Sequence, residues 1–219
     1  MMKLDEANRL LDAGQFSKAR DLFSALILDV EATPPIKGRA RLGEVRSLIG
    51  LGQIDEAIQL VERILAGHER QVHPNLRPSF LHERARLAEL QGDRQGAIVY
   101  YREELLFLSS SMPHYFSRLA DNYIKQGTVF FELGDRAECE IYLRLARDYA
   151  DRVTSEKAYA ALLVLKGRCF AEDGELSRAL DVFCEARDLY IIKGLFYESA
   201  SVNKRIANVR CRMERGRVL

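Results

Sequence analysis

Five short stretches decide the fold: GQFSKA at Gly14–Ala19, GQIDEA at Gly52–Ala57, GDRQGA at Gly92–Ala97, GDRAEC at Gly134–Cys139 and GELSRA at Gly174–Ala179. Their glycines stand 38, 40, 42 and 40 residues apart. A fixed period in this range is the signature of stacked supersecondary units. Each glycine ends a helix, because only Gly enters the left-handed region without steric cost. Ser17, Asp55 and Ser177 then fall where a side-chain oxygen can cap the next helix. The small residue five positions after the glycine marks a close approach of two helix backbones. Four further on stand Phe23, Val61, Tyr101, Leu143 and Phe183, and three beyond those Leu26, Ile64, Glu104, Ala146 and Ala186. Spacings of four and three put both sets on one helix face, with Glu104 as the exception.

The segments before each turn are helical as well. Ala7, Val45, Ala85, Gly127 and Gly167 each lie seven residues before a turn glycine and let the paired helices approach. Between units come breaks: ThrProPro at 33–35, HisProAsnLeuArgPro at 73–78, SerSerSerMetPro at 109–113 and ValThrSer at 153–155. Proline there keeps one unit from fusing with the next.

The whole chain has 219 residues, 47% hydrophobic and 30% charged, with a net charge of +1. That is globular composition, and it lacks the overall basic field of many nucleic-acid binders. The N-terminus has acids by position 6 and no apolar run of signal-peptide length. No stretch approaches the length of a membrane span. Cys139, Cys169, Cys184 and Cys211 form no C-x-x-C pair and sit in helical patterns, so they read as buried thiols of a reducing, cytoplasmic protein.

In phase and composition the five copies resemble the tetratricopeptide repeat family. The usual repeat there is about 34 residues. The longer spacing here is similar to the long-helix variants of kinesin light chains, Rap and PlcR-type bacterial peptide sensors, and MalT-like regulators. The resemblance implies an all-α, right-handed α-α superhelix of five helix pairs, at about 1–33, 38–72, 78–111, 114–152 and 156–193, with a capping helix at about 195–214. It forms one solenoid domain. The resemblance further implies that the inner helices line a concave groove, and that function resides there.

Catalytic signatures are missing from the sequence. His68, His73, His82 and His114 do not make an H-E-x-x-H site. There is no phosphate loop, dinucleotide loop or nucleophile elbow. The expectation is a non-enzymatic protein without cofactor or metal.

The groove-facing position six residues before each turn reads Asn8, Arg46, Arg86, Thr128 and Arg168, and Arg210 if Gly216 is a sixth turn. Four arginines in six places would make a basic stripe, suited to an acidic or carboxylate-bearing peptide because a guanidinium binds a carboxylate through two hydrogen bonds. The other reading is that they pair with Glu44, Glu83 and Glu89 on a solvated face. Phe131 falls on the same inner face. The paired aromatics, among them Phe196-Tyr197, read mainly as core. The tail at 203–219 is basic, which fits either a solvated end helix or an anionic partner.

The functional expectation is therefore a protein–protein or peptide-interaction module with a groove for a partner segment. The alternative is a sensor or regulatory subunit of a bacterial signalling system that recognises a short peptide. Its effector would sit on another chain, since the first repeat begins by about residue 3. No membrane partner is expected, nor nucleic acid. Ile206, Val209 and Met213 on the last helix suggest a homodimer contact.

Overall fold

A computed structural model describes residues 2–67, 74–153 and 155–215. His68, His73 and Gly216, singled out above, lie outside the described residues. The described chain is all-α and forms two compact units, residues 1–112 and 113–219. The boundary falls in the SerSerSerMetPro break.

The first unit holds three helix pairs: α1 (Met2–Asp12) with α2 (Phe16–Leu28), α3 (Pro34–Gly50) with α4 (Ile54–Leu65), and α5 (Arg77–Gln91) with α6 (Arg94–Phe107). First helices stack in order, α1 on α3 and α3 on α5, while α2 and α4 each also pack on the first helix of the next pair. The second unit pairs α7 (Tyr115–Glu132) with α8 (Arg136–Asp151) and α9 (Glu156–Glu172) with α10 (Leu176–Ile192), and adds α11 (Phe196–Arg215). There α7 stacks on α9, and α11 packs on α10.

The repeat chemistry is visible in the turns. All five turn glycines have φ between 72° and 79°. The amide after each one donates back across the turn to the last helix, as Gln15 does to the Leu10 carbonyl at 2.9 Å and Asp93 to that of Ala88 at 2.9 Å. That is the Schellman closure, which satisfies otherwise orphaned carbonyls. The capping expectation is corrected. The residue directly after glycine is the cap, so Ser17, Asp55 and Ser177 lie inside the first turn. Only the aspartates use a side chain at this position: Asp93 accepts from Gly96 and Asp135 from Glu138.

The small positions are where the packing is tightest. Ala19, Ala57, Ala97, Cys139 and Ala179 are fully buried. A Cβ placed on Gly167 would stand 2.6 Å from the Phe183 ring, and one on Gly43 would stand 2.3 Å from that of Phe23. Thus α10 lies on α9, and α2 on α3, through an aromatic ring resting on bare backbone. Glu104, which breaks the pattern, is nevertheless buried; the Nδ1 of His82 approaches its carboxylate to 2.9 Å.

Two expectations about the last hairpin change. Ile206 and Val209 are buried against α10, and Met213 packs on the same cluster. The apolar residues expected to meet a second copy are consumed within the chain. Phe196 and Tyr197, expected as core, are 71% and 73% exposed, because they sit on the first turn of α11 with nothing over them. Of the four free cysteines, Cys139 and Cys169 are buried, Cys184 is half-buried and Cys211 is exposed.

Gly167→Ala is expected to lower stability by about 1–3 kcal/mol, the usual cost of overpacking a filled core. Urea unfolding followed by circular dichroism checks this; an unchanged midpoint would show that the Phe183 ring can move aside.

Candidate binding site

In the first unit, Arg46 on α3 and Arg86 on α5 converge on one acid. Arg46 Nε donates to Glu83 Oε1 and Arg86 Nη1 to Glu83 Oε2, each at 2.6 Å. Glu83 is 1% exposed, whereas both guanidiniums keep an edge in solvent. Burial pushes the Glu83 carboxyl up, but the charges of Arg86, Arg46 and His82 outweigh that and hold it at about 2, against an ordinary 4.5. The other expected acids serve elsewhere: Glu44 pairs with Arg41, and Glu89 accepts from the Tyr101 hydroxyl. Asn8 is exposed on α1.

In the second unit, Arg168 on α9 donates to Glu132 Oε1 on α7 at 3.1 Å and lies 4.5 Å above the Phe131 ring. Beside this pair opens a cavity of about 480 Å³, walled by α7, α9, α10 and α11. Phe131 and Phe183 supply aromatic surface. Its charges are Arg168, Lys204, Arg205 and Arg212 against Glu172. Arg212 Nη2 donates to the Ala171 carbonyl at 2.8 Å, which ties α11 to the end of α9. Arg205 makes no hydrogen bond among the described residues. Burial first, and the nearby charge of Arg168 second, lower its hold on its proton, with Glu132 acting in the opposite direction.

Of the residues expected from sequence, Arg46 and Arg86 come together at Glu83, and Arg168 alone lines the cavity. Thr128 donates its hydroxyl to the Ile124 carbonyl of its own helix. Arg210 is exposed and is not part of the lining. Its place was counted back from Gly216. Counted forward from the helix start, Asn208 stands as far along α11 as Arg168 does along α9, and Asn208 lines the cavity. Lys204, Arg205 and Arg212 were legible only as part of a basic tail. Phe131 was legible from its register.

The Tetratricopeptide repeat family profile matches residues 4–68, from α1 through α4. No curated protein matches the sequence. Several solved structures share the fold, three of which follow. PlcR of Bacillus thuringiensis, in complex with the peptide PapR7 and DNA, superposes with a TM-score of 0.76 at 12% identity, over 92% of this chain and 72% of that one. A putative kinesin light chain TPR-like repeat protein of Podosopora anserina gives 0.57 at 19%, over 88% and 95%. A thermophilic TPR protein of Thermus thermophilus gives 0.62 at 18%, over 95% and 97%. Recurring hairpins in one register give the described chain the helical-repeat fold of these structures, and its residues 4–68 match the tetratricopeptide repeat. Among its described residues no helix is long and apolar enough to cross a membrane.

Glu83→Gln is expected to cost about 2 kcal/mol at neutral pH, the scale of charge-assisted hydrogen bonds. The folded carboxyl titrates below its unfolded value, so its contribution is complete above about 4.5 and is lost as pH falls toward about 2. The gap between wild type and variant in urea midpoint should therefore close across that window. A gap independent of pH would contradict the paired geometry.

Proposed function

We propose that this chain is a non-catalytic interaction module that binds an acidic peptide segment of a partner protein. The cavity of the second unit carries the proposal: a pre-formed recess with aromatic surface and four cations facing one acid. A recess that exists before binding spares the cost of ordering it, and excess positive charge selects for acidic partners. Arg168 is the contact residue in which sequence register and geometry coincide. Arg46 and Arg86, whose guanidiniums keep an edge in solvent beside buried Glu83, are the candidate contacts of the first unit. Asn8 in the first unit, and Thr128 and Arg210 in the second, are further candidate peptide contacts from the sequence register. We place the protein in the cytoplasm, because Cys211 is an exposed free thiol, a group that reducing compartments preserve.

A second reading has a specific observation in its favour. The fold shared with PlcR, a protein solved with a bound peptide, supports a sensor or regulatory subunit that recognises a short free peptide and acts through an effector on another chain.

Pools of short synthetic peptides should raise the melting temperature of the wild-type chain when an acidic ligand is present, since a ligand that binds only the folded state stabilises it. Arg168→Glu should abolish the rise while leaving helicity intact. If no pool shifts the wild-type midpoint, or if basic pools shift it as much as acidic ones, the reading fails.

A further inference from the structure

We propose that Cys139 and Cys169 are an oxidation site, a thiol pair that hydrogen peroxide converts reversibly to a disulfide, fastening the first turn of α8 to the last turn of α9. The pair stands apart from the peptide-binding reading and uses none of its contact residues.

Two departures from the repeat meet here. Five residues after the turn glycine, four of the units have alanine, at Ala19, Ala57, Ala97 and Ala179, and one has Cys139. Five residues before the turn glycine stand Arg9, Ser47, Leu87 and Val129, and then Cys169. The helices that carry the two cysteines pack on one another. Arg136 Nη2, on the first residue of α8, donates to Oδ2 of Asp173, the C-cap of α9, at 2.5 Å. Cys139 lies three residues into α8 from that tie, and Cys169 lies four residues back along α9. At the helical rise per residue these are advances of about 4.5 Å and about 6 Å, so antiparallel helices bring the two cysteines level. Both are enclosed, with Cys139 0% and Cys169 5% exposed. The Cys139 thiol donates a hydrogen bond to the Cys169 sulfur.

That contact gives the two sulfurs different roles. The hydrogen bond from Cys139 loosens the hold of Cys169 on its proton; burial opposes it, the Arg136 charge assists it, and Asp173 and Glu172 oppose it. The same bond, and burial after it, tighten the hold of Cys139. Arg136 Nη1 is buried with no acceptor among the described residues, which favours an anion beside it. Cys169 is therefore the attacking thiolate. Its sulfur takes one peroxide oxygen, the O–O bond breaks, and the departing hydroxide picks up a proton to leave as water; Cys169 is then a sulfenic acid. The Cys139 sulfur attacks that of Cys169, the S–O bond breaks, and the second hydroxide leaves as water with the Cys139 proton. Two thiols lose two electrons and two protons, and the peroxide becomes two waters. Enclosure selects a small oxidant over a bulky disulfide. Transient, redox-sensing bonds are also the kind that reducing compartments admit.

The test treats the full chain with hydrogen peroxide, blocks the remaining thiols, digests with trypsin without reduction and identifies linked peptides by mass spectrometry. Segments 137–144 and 169–178 should appear joined, and dithiothreitol should release them. The oxidised monomer should melt several degrees above the reduced one, because the bond constrains the unfolded chain. Cys139→Ala restores the residue of the other four units, so it should fold. It should show neither the link nor the rise, and Cys169 should then remain a sulfenic acid that dimedone traps. Cys211→Ser, at an exposed position, should keep both the link and the rise. Glutathione disulfide at equal concentration should join the pair more slowly than peroxide does. Cys139 and Cys169 thiols still free after Cys211 has been oxidised, a link that forms only in the denatured chain, a melting temperature that does not rise, or faster linkage by glutathione disulfide would each overturn this inference. None of these results bears on peptide binding.

Discussion

The fold depends on backbone-to-ring contact between neighbouring helices. Where α10 crosses α9, the Phe183 ring occupies the space that a Cβ on Gly167 would need, and Phe23 does the same over Gly43 between α2 and α3. Such contacts exist only where one helix offers no side chain and the other offers a flat one. They set how closely helices approach and therefore which residues of each first helix remain uncovered. Turn glycines at φ near 75° close each hairpin so tightly that the second helix has little freedom to choose another face. The Phe183 ring over Gly167 also borders the cavity that the neighbouring Arg168 lines, so this close contact helps to place that side chain.

Electrostatics then distinguishes surfaces that share a scaffold. Two arginines on a buried acid, as at Glu83, link α3 to α5 in an arrangement that depends on the acid's ionisation. At Glu132 the acid is less deeply buried and takes Arg168 at 3.1 Å beside an open cavity. The difference is the depth of the glutamate. Glu83 is enclosed between stacked first helices, while Glu132 is the last residue of α7 and lies near the helix end. The two units thus place the same residue types at different depths.

Much of this was legible in the sequence, for physical reasons. Period, turn glycines and small packing positions are local or periodic requirements, so the helix pairs could be read directly, as could the place of Arg168 and Phe131. The caps were misread because the helix starts directly after glycine, and Ser17 and Ser177 look like caps only if a longer turn is assumed. Counting back from Gly216, which lies outside the described residues, gives Arg210, whereas counting from the start of α11 at Phe196 gives Asn208. Arg205, Asn208 and Arg212 could not be singled out. Their importance comes from α11 lying beside α9, a long-range consequence of packing on α10. Pairing was equally hidden: nothing in the spacing says that Glu83 takes both Arg46 and Arg86 while Glu89 takes a tyrosine.

The most direct measurement is hydrogen–deuterium exchange of the full chain with and without a saturating peptide chosen as its strongest binder. The account predicts added protection concentrated in α11 around residues 204–212 and at the end of α9 around 168–172, with α8 unchanged. Protection centred on α8, or confined to the first unit, would contradict it.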